Sequence, residues 1–537
     1  MTCAGAKNIH ANPPTLARRL GATRPKGTRM GRSRGVLTVL AGCAALVAGV
    51  LVAPAPQAAV PAVVPTASPA AQPAGGSLEW ERCGPKKWVR ECATLEVPLD
   101  YARPGKGTIT LHLARIPARG DRWGAILMNP GGPGISGVDE ILKYPDYLST
   151  DVEEHYDVVG FDPRGVGRSA PLWCRDTEQM QRYSSTLAGA GWATSPKDPS
   201  VGPWREQARL FGEGCEANDP RLVRHVGTIA SAHDMDKIRV ALGQDTLDYV
   251  GWSYGTKLGS VYANLYPQRV GRMVLDSAIN PALNIVQFNQ GQSYAMEQAL
   301  WRFFDYCRTR LDCAIPRGKG PGTDFVLEFL WGLPVERTTP DTLTRADGLS
   351  AFQTSMYNPD YYYPVLYKAL RAALAGNGKP MIELGGGYGD QDPDKPSNFL
   401  NALYGINCYD SPRTPSLKET ARLARQWGRS APVFGPPAAW GLLRCRHFPA
   451  HTPQPTGPVT AKGAPPIVIV GALRDAATPV GWSYQLAGQI RSSRLVIADT
   501  GIHSVYPAVS PCVRRIVDAY LLEGGVPSSP TFCPPPS

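Results

Sequence analysis

From residue 78 onward, alternating or continuous apolar runs recur at short intervals, separated by turns rich in glycine and proline. TITLHLARI at 108–116 alternates apolar with polar positions, the pattern of a half-buried strand. GAILMNP (124–130) and YDVVGF (156–161) are unbroken apolar runs that each feed a glycine-rich turn, as strands covered on both faces do. SAHDMDKIRVALG (231–243) switches to helical spacing, and LDYVGW (247–252) reads as a strand. SYGTKLGSVYANLYP (253–267) reads as a helix stopped near Pro267, and RVGRMVLDS (269–277) as another strand. Strands alternating with helices predict an α/β fold around a mostly parallel sheet.

The pattern changes after Pro281. Residues 281–460 hold aromatic-rich helical stretches such as SYAMEQALWRFFDYC and YYYPVLYKALRAALAG, with no strand alternation between them. A buried strand returns in APPIVIVG, followed by a helical run and the strand SRLVIADT. The predicted organisation is one α/β domain in two parts, 78–280 and 461–537, split by a helical cap of about 180 residues at 281–460.

The segment before residue 78 reads differently. A basic stretch, RPKGTRMGRSRG, precedes the apolar run VLTVLAGCAALVAGVLVA and the small-residue tail APAPQAA, so 1–59 is expected to be a secretory signal region. Translation from Met30 would give it the usual short basic start. An uncleaved anchor is the alternative, and LAGC at 40–43 offers another, a lipid tether at Cys43. Residues 60–77 read as a Pro/Ala linker. The 1–59 region carries eight Lys/Arg and no acid, so without it the formal charge of +11 falls to +3. Such a balance gives no reason to expect nucleic acid. Ten of twelve cysteines lie beyond residue 60 and fall into neighbouring pairs, which suggests local disulfides in an exported protein: 83/92, 174/215, 307/313, 408/445 and 512/533. No CxxC pair is present, and His447 and His451 flank Pro449 in a loop-like stretch, so no metal or cofactor is expected.

Gly251-Trp252-Ser253-Tyr254-Gly255 fits G-x-S-x-G between a predicted strand and a predicted helix. Small residues on either side of the serine permit a cramped turn that projects its hydroxyl as a nucleophile. A serine needs a base, and the base an orienting carboxylate. Asp475 follows the strand IVIVG and His503 follows SRLVIADT, giving the chain order Ser, Asp, His. Asp475 could instead cap the helix beginning near Thr478-Pro479, and Asp276 or Asp499 could supply the acid. Asn129-Pro130-Gly131-Gly132-Pro133-Gly134 offers close-approaching N–H groups for an oxyanion, with the N–H of Tyr254 as the second donor.

These motifs resemble those of the secreted tripeptidyl aminopeptidases among the prolyl-aminopeptidase-type α/β-hydrolases. The likeness runs through W-x-x-C at Trp80 and Cys83, CATLEVPLDYARP, NPGGPG, FDPRGVGRSAP, the Ser253 turn and D-x-x-T-P at Asp475–Pro479. It implies an α/β-hydrolase fold with a helical cap, a triad of Ser253, Asp475 and His503, and oxyanion donors at Gly132 and Tyr254. Departures sit beside the site: Ile135 where relatives often have glycine, and Ile502 and Ser504 in place of the usual glycines around the histidine.

The reaction so implied is removal of short units, tripeptides or similar, from the free amino ends of peptides, with a secreted carboxylesterase as the alternative. The expected partners are such peptides, not nucleic acid, and membrane contact would arise only through the Cys43 tether. Oligomeric state is not readable. Glu297 and Asp410, in the insertion, are candidate acceptors for the substrate ammonium. Trp301, Phe303, Phe304 and Tyr361 to Tyr363 read as cap core.

Overall fold

A computed structural model of the chain describes residues 78–386, 397–453 and 456–536. The leader, linker and Cys43 readings lie outside the described residues. Ten strands form one sheet: β1 (Glu81–Arg82), β2 (Glu91–Pro98), β3 (Thr108–Ile116), β4 (Gly124–Asn129), β5 (Tyr156–Phe161), β6 (Leu247–Trp252), β7 (Val270–Asp276), β8 (Ile467–Ala472), β9 (Ser493–Ala498) and β10 (Thr531–Cys533). Their order is β1-β2-β3-β5-β4-β6-β7-β8-β9-β10. Pairing is antiparallel from β1 through β3 to β5 and parallel from β5 through β10. The apolar strands β5 and β8 are buried at every position, as expected where helices cover both faces.

One face of the sheet packs against the helices Gly137–Lys143, Thr150–His155 and Pro511–Glu523. The other packs against Thr228–Ala241, Tyr254–Leu265 and Val480–Gln489. Leu127, Tyr249 and Leu275 point to the second face, while Met128, Val250 and Val274, their neighbours in sequence, point to the first.

Between β7 and β8 the described residues hold helices and no strand. Those of 285–385 bury a core of their own, with Phe303, Phe304, Leu330, Phe352 and Leu366 inside. The helices Phe399–Tyr409, Leu417–Trp427 and Gly435–Gly441 belong instead to the core of the second sheet face. They share it with Thr177–Ala190 and Val201–Asn218, two helices that no sequence pattern announced. Three indoles stitch this layer: Trp204 donates to Trp440 O at 3.0 Å, Trp440 to Ala193 O at 2.9 Å and Trp192 to Pro432 O at 3.0 Å. All five expected cysteine pairs are disulfide-bonded. No helix among the described residues is long and apolar enough to cross a membrane.

Candidate active site

Strand β6 ends at Trp252 and a helix starts at Tyr254, so Ser253 alone makes the turn. Its backbone sits at φ 54°, ψ −119°, a conformation disfavoured for a residue with a Cβ. The surrounding glycines make the turn possible. A Cβ on Gly251 would lie 2.6 Å from Gly255 O, and one on Gly255 only 2.4 Å from Asn129 O. On the glycine loop, a Cβ on Gly131 would stand 2.7 Å from Trp252 O. The loop and the serine turn are therefore packed backbone on backbone.

The FDPRGVGRS stretch anchors the start of the helix that follows the glycine loop. Asp162, fully buried, accepts from Ser136 Oγ at 2.5 Å, Val138 N at 3.1 Å and Arg168 N at 2.8 Å. Arg164 forks onto Asp234 at 2.7 and 2.6 Å with neither side chain exposed. Gly132 and Tyr254 line one cavity with Ser253 and His503. Among the described residues neither of their N–H groups has an acceptor, and the Ser253 hydroxyl has no hydrogen bond.

Asp475 lies three residues beyond β8 and is almost wholly buried. Its Oδ1 accepts the N–H groups of Ala477 at 2.8 Å and Thr478 at 2.9 Å, and its Oδ2 accepts Thr478 Oγ1 and His503 Nδ1, both at 2.9 Å. It thus closes the turn ahead of the helix Val480–Gln489 and also binds the histidine; the two readings of this residue are compatible. The bond fixes the Nδ1–H tautomer and leaves Nε2 as the unprotonated nitrogen of the neutral ring. Burial pulls the His503 pKa down, but the Asp475 charge and hydrogen bond, with the Asp276 charge adding, hold it net above its ordinary value. Burial pushes Asp475 up, and His503 with the turn N–H groups brings it net below.

The other two strand-end acids do different work. Asp499 is ion-paired with Arg474 at the surface. Asp276, fully buried at the end of β7, accepts Val505 N at 2.8 Å and Tyr506 N at 2.7 Å through Oδ2. Its backbone oxygen accepts Ser253 N at 3.0 Å. Next to it, Ser277 Oγ accepts Ser504 N at 2.8 Å, with Ser277 and Ser504 both at positive φ. Asp276-Ser277 therefore grips three successive N–H groups after His503 and the N–H of Ser253. Burial lifts the Asp276 pKa to about 6 against the pull of those N–H groups.

The insertion completes the histidine's surroundings. Tyr357 O accepts His503 N at 2.8 Å, and its ring stands edge-on to the imidazole at 5.4 Å. Nothing in the sequence marked Tyr357, which lies between two helices of the insertion. The cavity, about 1680 Å³, runs from this floor into the insertion.

The two candidate ammonium acceptors are otherwise engaged. Asp410 lines the cavity but is ion-paired with Lys257 Nζ at 2.8 Å and accepts Thr228 Oγ1 at 2.5 Å. Thr228 Oγ1 in turn meets the Tyr254 hydroxyl at 2.8 Å, tying this group to the residue after the serine. Glu297 lies behind the cavity wall, fully buried, where Oε2 accepts Val433 N at 3.1 Å and Phe434 N at 3.2 Å and Oε1 has no partner. Burial raises its pKa to about 7. Trp301, Phe303, Phe304 and Tyr363 pack in the insertion's own core, while Tyr361 is exposed. No cluster of three or more His, Cys, Asp or Glu able to hold a metal occurs among the described residues.

A strained serine between strand and helix, with a histidine–carboxylate pair at neighbouring strand ends, defines the α/β-hydrolase class, and residues 124–316 match the model of the alpha/beta hydrolase fold. Residues 431–533 match the TAP-like protein model. Over 485 residues the chain is 32% identical to the tripeptidyl aminopeptidase of Streptomyces coelicolor, covering 86% of this chain and 87% of that one. It is 30% identical over 480 residues to the serine protease Hip1 of Mycobacterium tuberculosis, covering 86% and 91%. Carboxylesterase B of the same organism is 30% identical over 465 residues, covering 83% and 86%. The chain belongs to the α/β-hydrolase serine peptidases of the tripeptidyl aminopeptidase family.

Proposed function

We propose that this protein is an exported exopeptidase that removes short units, tripeptides foremost, from the free amino ends of peptides. The observation that carries the reading is the strained Ser253 on the floor of a cavity that His503 also lines, with Asp475 bonded behind it. Five disulfides support export to an oxidising compartment.

In this mechanism Ser253 Oγ attacks the scissile carbonyl carbon as His503 Nε2 takes its proton. The hydroxyl has no hydrogen bond among the described residues, and such contacts commonly tighten only with substrate in place. The Gly132 and Tyr254 N–H groups receive the developing oxyanion, with no partner to surrender first. Asp475 stabilises the imidazolium, which then protonates the leaving amine. A water activated by the same nitrogen resolves the acyl-enzyme. Of the cavity carboxylates, Asp347 is bonded to Arg337 and Asp410 to Lys257, which leaves Glu419, without an ion pair among the described residues, to take the substrate ammonium.

The carboxylesterase reading is kept by one observation, the 30% identity to carboxylesterase B. A tripeptidyl chromogenic amide with a free amino end, its N-acetylated form and a short p-nitrophenyl ester separate the two. The expected result is turnover of the free amide well above the blocked one, abolished by Ser253→Ala. Glu419→Gln should raise KM for the free amide about tenfold and leave the ester unchanged. Equal cleavage of free and blocked amides would sink the exopeptidase reading, and ester-only turnover would favour the alternative.

A further inference from the structure

The cations of the cavity wall are not equivalent. Lys257 is neutralised by Asp410, and Arg413 stands exposed. Arg444 is different: half-buried, it lines the cavity, and no carboxylate pairs with it among the described residues. Its guanidinium is nonetheless fixed. Nε donates to Gly441 O at 2.8 Å, and the plane lies over the Tyr404 ring with its carbon 3.9 Å from the ring centre. Nε is thereby occupied by a carbonyl and one face by an aromatic ring whose hydroxyl also favours the charged guanidinium, and the donors left over are on the terminal nitrogens.

A second observation falls beside it. Tyr183, with no exposed surface, has a hydroxyl without a hydrogen-bond partner, and its ring stacks on Tyr404 at 5.6 Å. Burial raises the Tyr183 pKa, and the Arg444 charge is the opposing influence, so the orphan hydroxyl and the guanidinium feel each other. Buried hydroxyls are rarely left unpaired, and a half-buried guanidinium without a counter-ion keeps its charge available to a ligand. Arg444 and Tyr404 line the cavity, and Tyr183 lies on the helix Thr177–Ala190, whose Ser184, Leu187 and Ala188 line it too.

We infer that Arg444 is a carboxylate-binding subsite of the cavity, receiving an anionic group of a peptide substrate, either an acidic side chain or a free carboxyl terminus. Both present the planar pair of oxygens that a guanidinium binds in parallel. The inference rests on the peptidase reading and adds a preference to it, because a neutral peptide would leave Arg444 unneutralised.

The test uses the full-length protein and its Arg444→Met and Arg444→Lys variants. Steady-state kinetics are measured on a neutral free-amino tripeptidyl amide, on the same amide with one residue replaced by glutamate at each position in turn, and on a tetrapeptide with a free or an amidated carboxyl end. Arg444→Met should raise KM at least about tenfold for carboxylate-bearing substrates and leave the neutral amide unchanged, with Arg444→Lys recovering part of the loss. A glutamate effect at one position identifies the side chain as the ligand; an effect confined to the free tetrapeptide identifies the terminus. Binding of the free and amidated tetrapeptides to Ser253→Ala, by calorimetry, reads the subsite even without turnover. Equal changes on neutral and charged substrates, with a lowered Tm, would reduce Arg444 to a structural brace and overturn the inference. No change on any substrate would overturn it as well. Failure of the peptidase reading looks different: the unaltered protein would leave the neutral free-amino amide uncleaved.

Discussion

At the floor of the cavity, Gly131, Gly251 and Gly255 bring backbone so close to backbone that an added methyl on any of them would fall within 2.7 Å of a carbonyl oxygen. In the roof built by residues 285–385, most close glycines meet side chains instead, as Gly322 faces the Phe304 ring and Gly348 the methyls of Leu330 and Leu333; Gly385, whose added methyl would lie 2.6 Å from Asp347 O, is the exception. A side chain can turn aside, whereas a carbonyl inside a strand or helix cannot. The floor is thus specified residue by residue, and the roof by volume and apolarity, which many sequences can satisfy. Chemistry that tolerates little displacement is placed on the first kind of structure, and substrate choice on the second.

The sharpest way to break this contrast is Gly255→Ala. Its Cβ would meet Asn129 O at 2.4 Å, so the turn and the glycine loop must part, and kcat/KM should fall at least about 100-fold. Gly348→Ala, against leucine methyls, should stay within a few-fold. Comparable losses for both would mean that floor and roof are equally rigid.

A smaller effect comes from Asp276→Asn. Asparagine can still accept the N–H groups of Val505 and Tyr506, so the loop survives while the charge is lost. The Asp276 carboxylate favours the His503 imidazolium, so its removal lowers the histidine pKa and leaves the base neutral at lower pH. The acid limb of the kcat/KM profile should therefore move down by about half a pH unit. A collapse at every pH with no shift would mean that this carboxyl only shapes the loop.

The smallest effect on activity, though not on stability, is expected in the roof. Glu297 has its pKa raised by burial from 4.5 to about 7, so its ionised form opposes folding. A raised carboxyl costs nothing below its unfolded pKa, and the cost grows through the interval up to the folded value and is constant above it. Glu297→Gln should accordingly stabilise the protein by about 3 kcal/mol at pH 8, less at pH 6 and hardly at all at pH 4.5, with kcat within about twofold. Denaturant melts at the three pH values check this; a gain that does not depend on pH would rule out ionisation as its cause.

The same division explains what could be read from the chain. Ser253, Asp475 and His503 each follow a strand of unmistakable pattern, and the glycines that make the serine turn possible stand beside it in sequence. Asp276 was visible at a strand end, but its grip on 504–506 depends on a loop more than two hundred residues away. Tyr357 and Arg444 acquire their places only when the insertion folds over the sheet, and no local pattern encodes that. The helix Val201–Asn218 is illegible in the sequence for another reason. Its Gly212 and Gly214 resemble turn residues, yet each serves close approach, with a Cβ 2.0 Å from His447 O and Cys174 O respectively.

Each of the five disulfides joins a cysteine to the next one along the chain, with separations of 6 to 41 residues. For a polypeptide threaded amino end first into an oxidising space, order of arrival alone dictates the correct partners: each odd-numbered thiol meets its mate before a competitor has emerged. Biosynthesis in that direction needs no editing of mispaired bridges, and a renatured full-length chain, presented with all ten of these thiols at once, loses that advantage.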